Sequence, residues 1–208
     1  MDDHAVRRMV DLTPEDLAKG ADMLQSAFAH VPTSAFVLFG RDDARRAWYA
    51  ARLQHAVELY VVGDWAGVAI WEPATQDQAR RQEAKAAFRA QLVAEVGEEL
   101  GRAVLKRRDM LAEADEGMVG EVERELGIVF ARDVDELALL GVHPAHRRQG
   151  VGSALVRSFL KDRRVCLLTF TPRAIAFYKT LGFAIVANRD HDTFRCTLML
   201  WTPASLSA

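Results

Sequence analysis

Cysteine is scarce: the chain has 2 in 208 residues. That is too few for a disulfide framework, and nothing in it asks for an oxidising compartment. Basic charge shows no excess either. Lys plus Arg number 27 against 29 Asp plus Glu, a formal charge of −2, so no electrostatic case exists for a nucleic-acid partner. No apolar run approaches the ~20 residues that span a bilayer, and residues 1–8 lack the basic-then-apolar order of a signal peptide. The expectation is a soluble, cytoplasmic protein with no membrane contact. Half of the chain is apolar, which excludes disorder, and the length suits one domain over 1–208 with a sizeable core.

The chain opens with alternation over Val6–Leu12, read as a strand. Thr13-Pro14-Glu15-Asp16 then marks a helix start: a hydroxyl cap, a proline at the first helical position and two carboxylates at the positive end of the dipole. Leu17, Met23, Leu24, Ala27 and Phe28 recur at helical spacing. Residues 34–39 fit no pattern, and Asp42-Asp43 opens a second helix carrying Trp48, Tyr49, Leu53 and Val57. Leu59–Val62, a turn at Gly63-Asp64 and Trp65–Trp71 read as a hairpin. Residues 76–126 are helical by composition, with Ala84, Phe88, Leu92 and Val96 in one stripe and Gly97, Gly101, Gly117 and Gly120 expected to break it into several helices. Within that stretch Glu113–Glu125 holds six acids and one arginine. A solvated helix face is the ordinary reading, and a wall attracting a cationic substrate the sharper one.

The last third carries the chemistry. Glu136–Val142 reads as an apolar strand, followed by His143-Pro144-Ala145-His146, the loop Arg147-Arg148-Gln149-Gly150-Val151-Gly152-Ser153 and a helix. A strand, a glycine-containing loop and a helix aim successive backbone N–H groups at one point, a ready site for phosphate. Gly150 and Gly152 admit a close ligand, and Arg147 and Arg148 add cationic donors. A Walker loop needs Gly-Lys-Ser/Thr, absent after Gly152, and a dinucleotide fingerprint needs a glycine where Leu155 stands. Val165–Phe170 reads as a buried strand, Ala174–Leu181 as a helix capped by Gly182, and Phe183–Val186 and Phe194–Trp201 as final strands around a polar turn, Asn188–Asp192.

Arg147-x-x-Gly150-x-Gly152, preceded by Val142-His143-Pro144 and followed by Ala174–Phe183 with its Phe177-Tyr178 pair, resembles the GCN5-related N-acetyltransferases (the GNAT superfamily). The likeness runs from about residue 6 to 201 and is most specific over 136–183. A narrower likeness, to the puromycin-acetyltransferase-like branch, rests on Ala27-Phe28 and on Val68-Ala69-Ile70-Trp71-Glu72-Pro73. The resemblance implies an α/β fold: a mixed, mostly antiparallel twisted sheet, flanked by helices, whose fourth and fifth strands splay apart to admit acetyl-CoA as co-substrate, with no metal. It implies backbone contacts from Leu140, Gly141 and Val142 to the pantetheine arm. Arg147, Arg148, Gln149, Gly150, Val151, Gly152 and Ser153 would surround the pyrophosphate. The acetyl group would pass directly to an amine of a small molecule or peptide.

Tyr178 then stands where the family places the acid that protonates the departing thiolate. Glu136, eleven positions before Arg147, stands where some members carry a base, and an ordinary strand-start charge is its other reading. Water relayed by Glu72 or His191 is an alternative. The family often has asparagines where Thr171 and Ala174 stand; Thr171 keeps a hydrogen-bonding group for the cofactor, whereas Ala174 does not. A second function class is a non-catalytic acyl-CoA-binding or regulatory module, and a longer acyl-CoA is a further variant. The helical stretch 73–134 is expected to cover the acceptor site, and a homodimer is a common assembly among such relatives. Cys166 and Cys196 read as core, His143 and His146 as structural or surface residues without a third metal ligand. Trp48, Trp65 and Trp71 read as core, with Trp71 ending a strand able to face the acceptor.

Overall fold

The computed structural model describes residues 5–75 and 77–206. Residues 1–4, part of the segment read for a leader signal, lie outside the described residues. Seven strands form one sheet in the order β1-β2-β3-β4-β5-β7-β6: β1 (Val6–Met9), β2 (Glu58–Val62), β3 (Gly67–Glu72), β4 (Val134–Val142), β5 (Arg164–Thr169), β6 (Ala184–Asp190) and β7 (Arg195–Trp201). All neighbouring pairs are antiparallel except β4 and β5.

Local signals fix the first elements. The Thr13 hydroxyl accepts from the Asp16 N–H at 3.1 Å while the Asp16 carboxylate accepts from the Thr13 N–H at 3.1 Å. This reciprocal cap, worth ~1 kcal/mol, starts α1 (Pro14–Ala27), which buries Ala21, Met23 and Leu24. The first strand stops at Met9, short of Leu12. The unassigned stretch near Ser34 is a helix, α2 (Pro32–Val37), begun by Pro32 at its first turn. α3 (Asp42–Gln54) opens on its two aspartates as expected, and Val57 lies past its end. Trp65 belongs to the hairpin turn and not to a strand: its φ is 59°, and its indole is buried over Gly20.

The strand alternation sorts the core onto two faces. On one face α7 (Val151–Arg157) and α8 (Pro172–Thr180) cover Ala69, Trp71, Leu137, Val165, Leu167 and Met199. On the other, α1 and α3 cover Leu59, Val61, Val68 and Ile70. Beside them α5 (Glu98–Leu126) covers Cys166, Cys196, Leu198 and Leu200. Trp71 is therefore on the α7 side, its ring centroid 4.3 Å from that of Phe159.

The segment between β3 and β4 is a helical hairpin, α4 (Gln78–Val96) and α5, ending in the single turn α6 (Phe130–Asp133). Of the four glycines expected to break it, only Gly97 does, at φ 86°. Glycine inside a helix costs ~1 kcal/mol, but a Cβ at Gly101 would come within 2.8 Å of the Val93 Cα; its absence lets the two helices meet. The acidic run is mainly the outer face of α5, with Glu113, Glu116, Glu121 and Glu125 exposed and Asp115 buried. β6 continues through Asn188 to Asp190, correcting the expected turn, because Asn188 pairs with Thr197, whose hydroxyl donates to the Asn188 side-chain Oδ1 at 2.8 Å. Among the described residues no helix is long and apolar enough to cross a membrane.

Candidate active site

The parallel pairing of β4 with β5 covers only Val134, Asp135 and Glu136 against Arg164, Val165 and Cys166. Beyond Glu136 the strands part, so β4 keeps β3 on one edge and has a free edge on the other. An extra residue, Ala138, sits where the β3–β4 register shifts between Ile70 and Trp71, and such a bulge bends its strand. Which N–H groups face the opening follows from strand alternation. The His143 N–H donates to the Ala66 carbonyl across β3 at 3.0 Å, so Gly141 also points its N–H toward β3. Leu140 and Val142 point theirs the other way, into the split.

At the wide end of the split the chain turns through Pro144–His146 into the glycine loop. Gly150 adopts φ 89° and caps α7 without a side-chain hydrogen bond, a conformation that side-chain-bearing residues adopt at a cost of 1–2 kcal/mol. A Cβ on Gly152 would lie 3.3 Å from the Phe177 ring and 3.4 Å from Val142, so this glycine brings α7 close to β4 and α8. The backbone N–H groups of Arg148, Gln149, Gly150, Val151, Gly152 and Ser153 donate to no group among the described residues. Side chains in this loop do something else. Arg147 donates to the Ala27 carbonyl at 2.9 Å, tying the loop to the end of α1, and Gln149 donates to the Ala145 carbonyl at 2.9 Å. Arg148 is exposed with φ 64°, and the Ser153 side chain makes no hydrogen bond among the described residues.

Tyr178, in the last turn of α8, belongs to the same cluster as Leu137, Val151 and Leu155, with Leu140 and Val142 at its edge. Its ring meets Phe177 and Phe183. Burial raises its phenol above the ordinary value, and its hydroxyl makes no hydrogen bond among the described residues. Thr171 caps α8, its hydroxyl accepting from the Ala174 N–H at 3.3 Å, which leaves its own proton free to donate.

Glu136 lies on the opposite face. Burial raises its carboxyl, the facing Glu72 raises it further, and Arg52, Lys85 and Arg81 pull it down. Glu72 is its direct cross-strand partner and is itself 3.9 Å from Arg52. Tyr178 and Glu136 therefore flank the split from its two sides, Tyr178 beside α7 and α8, Glu136 beneath α3 and α4. Cys166 and Cys196 are free, buried and raised by burial, the condition of core thiols. The His143 ring caps its own turn, its Nδ1 accepting from the Ala145 N–H at 3.3 Å.

Two groupings escaped the sequence reading. His191 Nε2 sits 3.7 Å from Asp115 Oδ1, and those two atoms and Arg189 Nε are buried without hydrogen-bond partners; the Cys196 thiol lies against the same carboxylate. The second is a basic cleft near Glu136, lined by Arg52, Arg81, Lys85 and Arg108. Only the spacing of Arg81 and Lys85, one helical turn apart, announced part of it; the rest comes from elements far apart in the chain.

The comparisons bear on this geometry directly. Residues 92–185, from the end of α4 into β6, match the family model of the acetyltransferase (GNAT) domain. No curated protein matches the chain. Among solved structures, an acetyltransferase from Corynebacterium glutamicum, described as a histone acetyltransferase and related acetyltransferase, is 22% identical with a TM-score of 0.59, covering 98% of each chain. An N-acetyltransferase from Staphylococcus aureus is 13% identical with a TM-score of 0.56, over 95% of this chain and 100% of the other. A polyamine N-acetyltransferase from Drosophila melanogaster is 13% identical with a TM-score of 0.59, over 96% and 100%. Residues 92–185 thus resemble a GNAT acetyltransferase domain, and the chain shares the fold of these solved acetyltransferases.

Proposed function

We propose that the protein is an acetyl-CoA-dependent enzyme that transfers the acetyl group directly to the amine of a small molecule. The observation that carries this reading is the run of undonated amides from Arg148 to Ser153 at the mouth of a split whose β4 edge is also free. Free N–H groups in a concave loop fit a pyrophosphate, and a free strand edge fits the amide-bearing pantetheine arm. Arg148 would add charge to the phosphates, and Thr171 would donate its hydroxyl proton to the arm. Arg147 and Gln149 would serve by holding the loop in shape through Ala27 and Ala145. When bound, acetyl-CoA supplies an acetyl thioester, an acyl group on a good leaving thiolate.

The residues on either side of the split supply proton handling. An amine attacks only after losing its ammonium proton. Glu136, whose carboxyl is raised by burial and by Glu72, would take that proton as the base. As the N–C bond forms and the C–S bond breaks, negative charge grows first on the carbonyl oxygen, where the Leu140 or Val142 N–H would stabilise it. It then grows on sulfur, which takes its proton from the Tyr178 hydroxyl. Burial keeps that hydroxyl protonated until it is needed. Tyr178 regains a proton from the attacking nitrogen, and the net reaction from an ammonium releases one proton. The hairpin α4–α5 would form the acceptor side of the site. Small amines as acceptors are supported by solved neighbours described as agmatine and polyamine N-acetyltransferases.

Titration calorimetry with acetyl-CoA, followed by thiol-release assays over a panel of amines, tests the reading. Binding at micromolar concentration with amine-dependent release is the expected result. Binding with no release from any amine would favour the binding-module alternative, and no binding would overturn the assignment. Gly150→Glu, which forces a side chain and a negative charge into the phosphate position, is expected to abolish binding in a folded protein.

A further inference from the structure

The cleft beside Glu136 is small, with a cavity volume of about 20 Å3, and opens between α3, α4 and α5. Four cationic side chains line it: Arg52 from α3, Arg81 and Lys85 from α4, and Arg108 from α5. Only two carboxylates answer them, Glu72 in the wall and Glu136 next to it, a formal surplus of two positive charges. The remaining acid nearby, Asp109, is already held by both guanidinium nitrogens of Arg89 at 2.8 and 2.9 Å. Arg108 has only an outlying contact with it at 3.4 Å.

These cations are poorly satisfied. Arg81 gives one nitrogen to the Pro73 carbonyl, and its Nε is buried with no partner. Lys85 makes no hydrogen bond or ion pair among the described residues. Burial and the like charge of Arg52 both act against the Arg108 cation. Converging cations in a partly buried cleft cost free energy unless an anion joins them, and guanidinium groups match a carboxylate in two-point geometry. Val57, Ala84 and Phe88 complete the wall, and their apolar surface lowers the local polarity around the cations.

We propose that this cleft is an anion subsite for the acceptor, and that the acceptor is an amine also bearing a carboxylate, not a plain diamine or polyamine. The inference rests on the acetyl-transfer reading for its geometry: the cleft adjoins Glu136, so an acceptor whose amine meets that base places its other end among Arg81, Lys85 and Arg108. An acceptor with a second cation there would face the surplus positive charge.

The test uses matched pairs, such as lysine with lysinamide and 4-aminobutyrate with butylamine, titrated calorimetrically into the protein saturated with CoA and assayed for acetylation with acetyl-CoA. At least one carboxylate member is expected to bind and react with a dissociation constant and KM about tenfold or more below its partner's. In Lys85→Glu, a change at an exposed position, that ratio should fall to one or invert, with acetyl-CoA affinity unchanged. Preference for the uncharged or cationic partner in the wild type overturns the proposal, as does a ratio that Lys85→Glu leaves unmoved, or failure of every carboxylate to bind. Carboxylate binding that depends on Lys85 without any acetyl transfer upholds the anion site and refutes the transferase reading, so the two fail separately.

Discussion

At the scale of single residues, Glu136 and Tyr178 make opposite predictions about stability. Glu136 has its carboxyl raised in the folded state, so the folded protein binds more protons than the unfolded chain between the ordinary carboxylate range and the raised value. Stability must therefore fall as pH rises through that window and stay penalised above it. Glu136→Gln removes the penalty, so its thermal midpoint at neutral pH should rise above that of the parent protein. Its turnover should drop about 10²-fold or more, and the acidic limb of its pH–rate profile should vanish. A base that is merely a surface charge would change neither. Tyr178→Phe should leave the thermal midpoint nearly unmoved, since the hydroxyl makes no hydrogen bond to lose, and leave acetyl-CoA affinity intact while kcat falls about 10–100-fold. The family resemblance named both positions, Glu136 eleven before Arg147 and Tyr178 directly after Phe177, and their proposed roles rest on the predictions above. Arg147 was expected beside the pyrophosphate; its hydrogen bond to the Ala27 carbonyl joins positions 120 apart, a link that no local pattern announces.

Among the elements, the glycine loop followed from local sequence, because a strand, a glycine-containing turn and a helix start are each written in a few adjacent residues, whereas the split between β4 and β5 was implied only by the family resemblance. The helical hairpin was harder to read. Gly101, Gly117 and Gly120 look like breakers by propensity, yet Gly101 is required by the approach of Val93 and Gly117 leaves room beside Arg189. Tertiary packing overrides the local cost of ~1 kcal/mol, and no single-sequence signal announces it. Gly101→Val should force α4 and α5 apart and lower stability by about 1–3 kcal/mol, read by denaturant titration, whereas Gly120→Ala, with open space at its Cβ, should stabilise by up to ~1 kcal/mol.

Across the whole molecule, the hairpin joins the N-terminal helices to the C-terminal strands over one face of the sheet. Arg107 of α5 donates to the Phe36 carbonyl at 2.6 Å and lies 3.6 Å from the Phe39 ring centroid, and Phe36 in turn meets Phe194 ahead of β7. Arg107→Ala should therefore loosen the acceptor side as a unit. The expected result is a loss of about 1–3 kcal/mol and a higher acceptor KM, with acetyl-CoA affinity unchanged because the loop from Arg148 to Ser153 lies elsewhere. None of these long-range links was visible in the sequence; they join side chains whose spacing in the chain is set by loop lengths and not by periodicity.

The most direct measurement is the stoichiometry of transfer: the purified protein, acetyl-CoA and a panel of amines and amino carboxylates, with product mass and free thiol read from the same reaction. One acetylated amine formed for each thiol released, lost in Gly150→Glu and strongly slowed in Glu136→Gln, is the predicted result. Thiol release without an acetylated amine, or transfer that survives Gly150→Glu, would contradict the account.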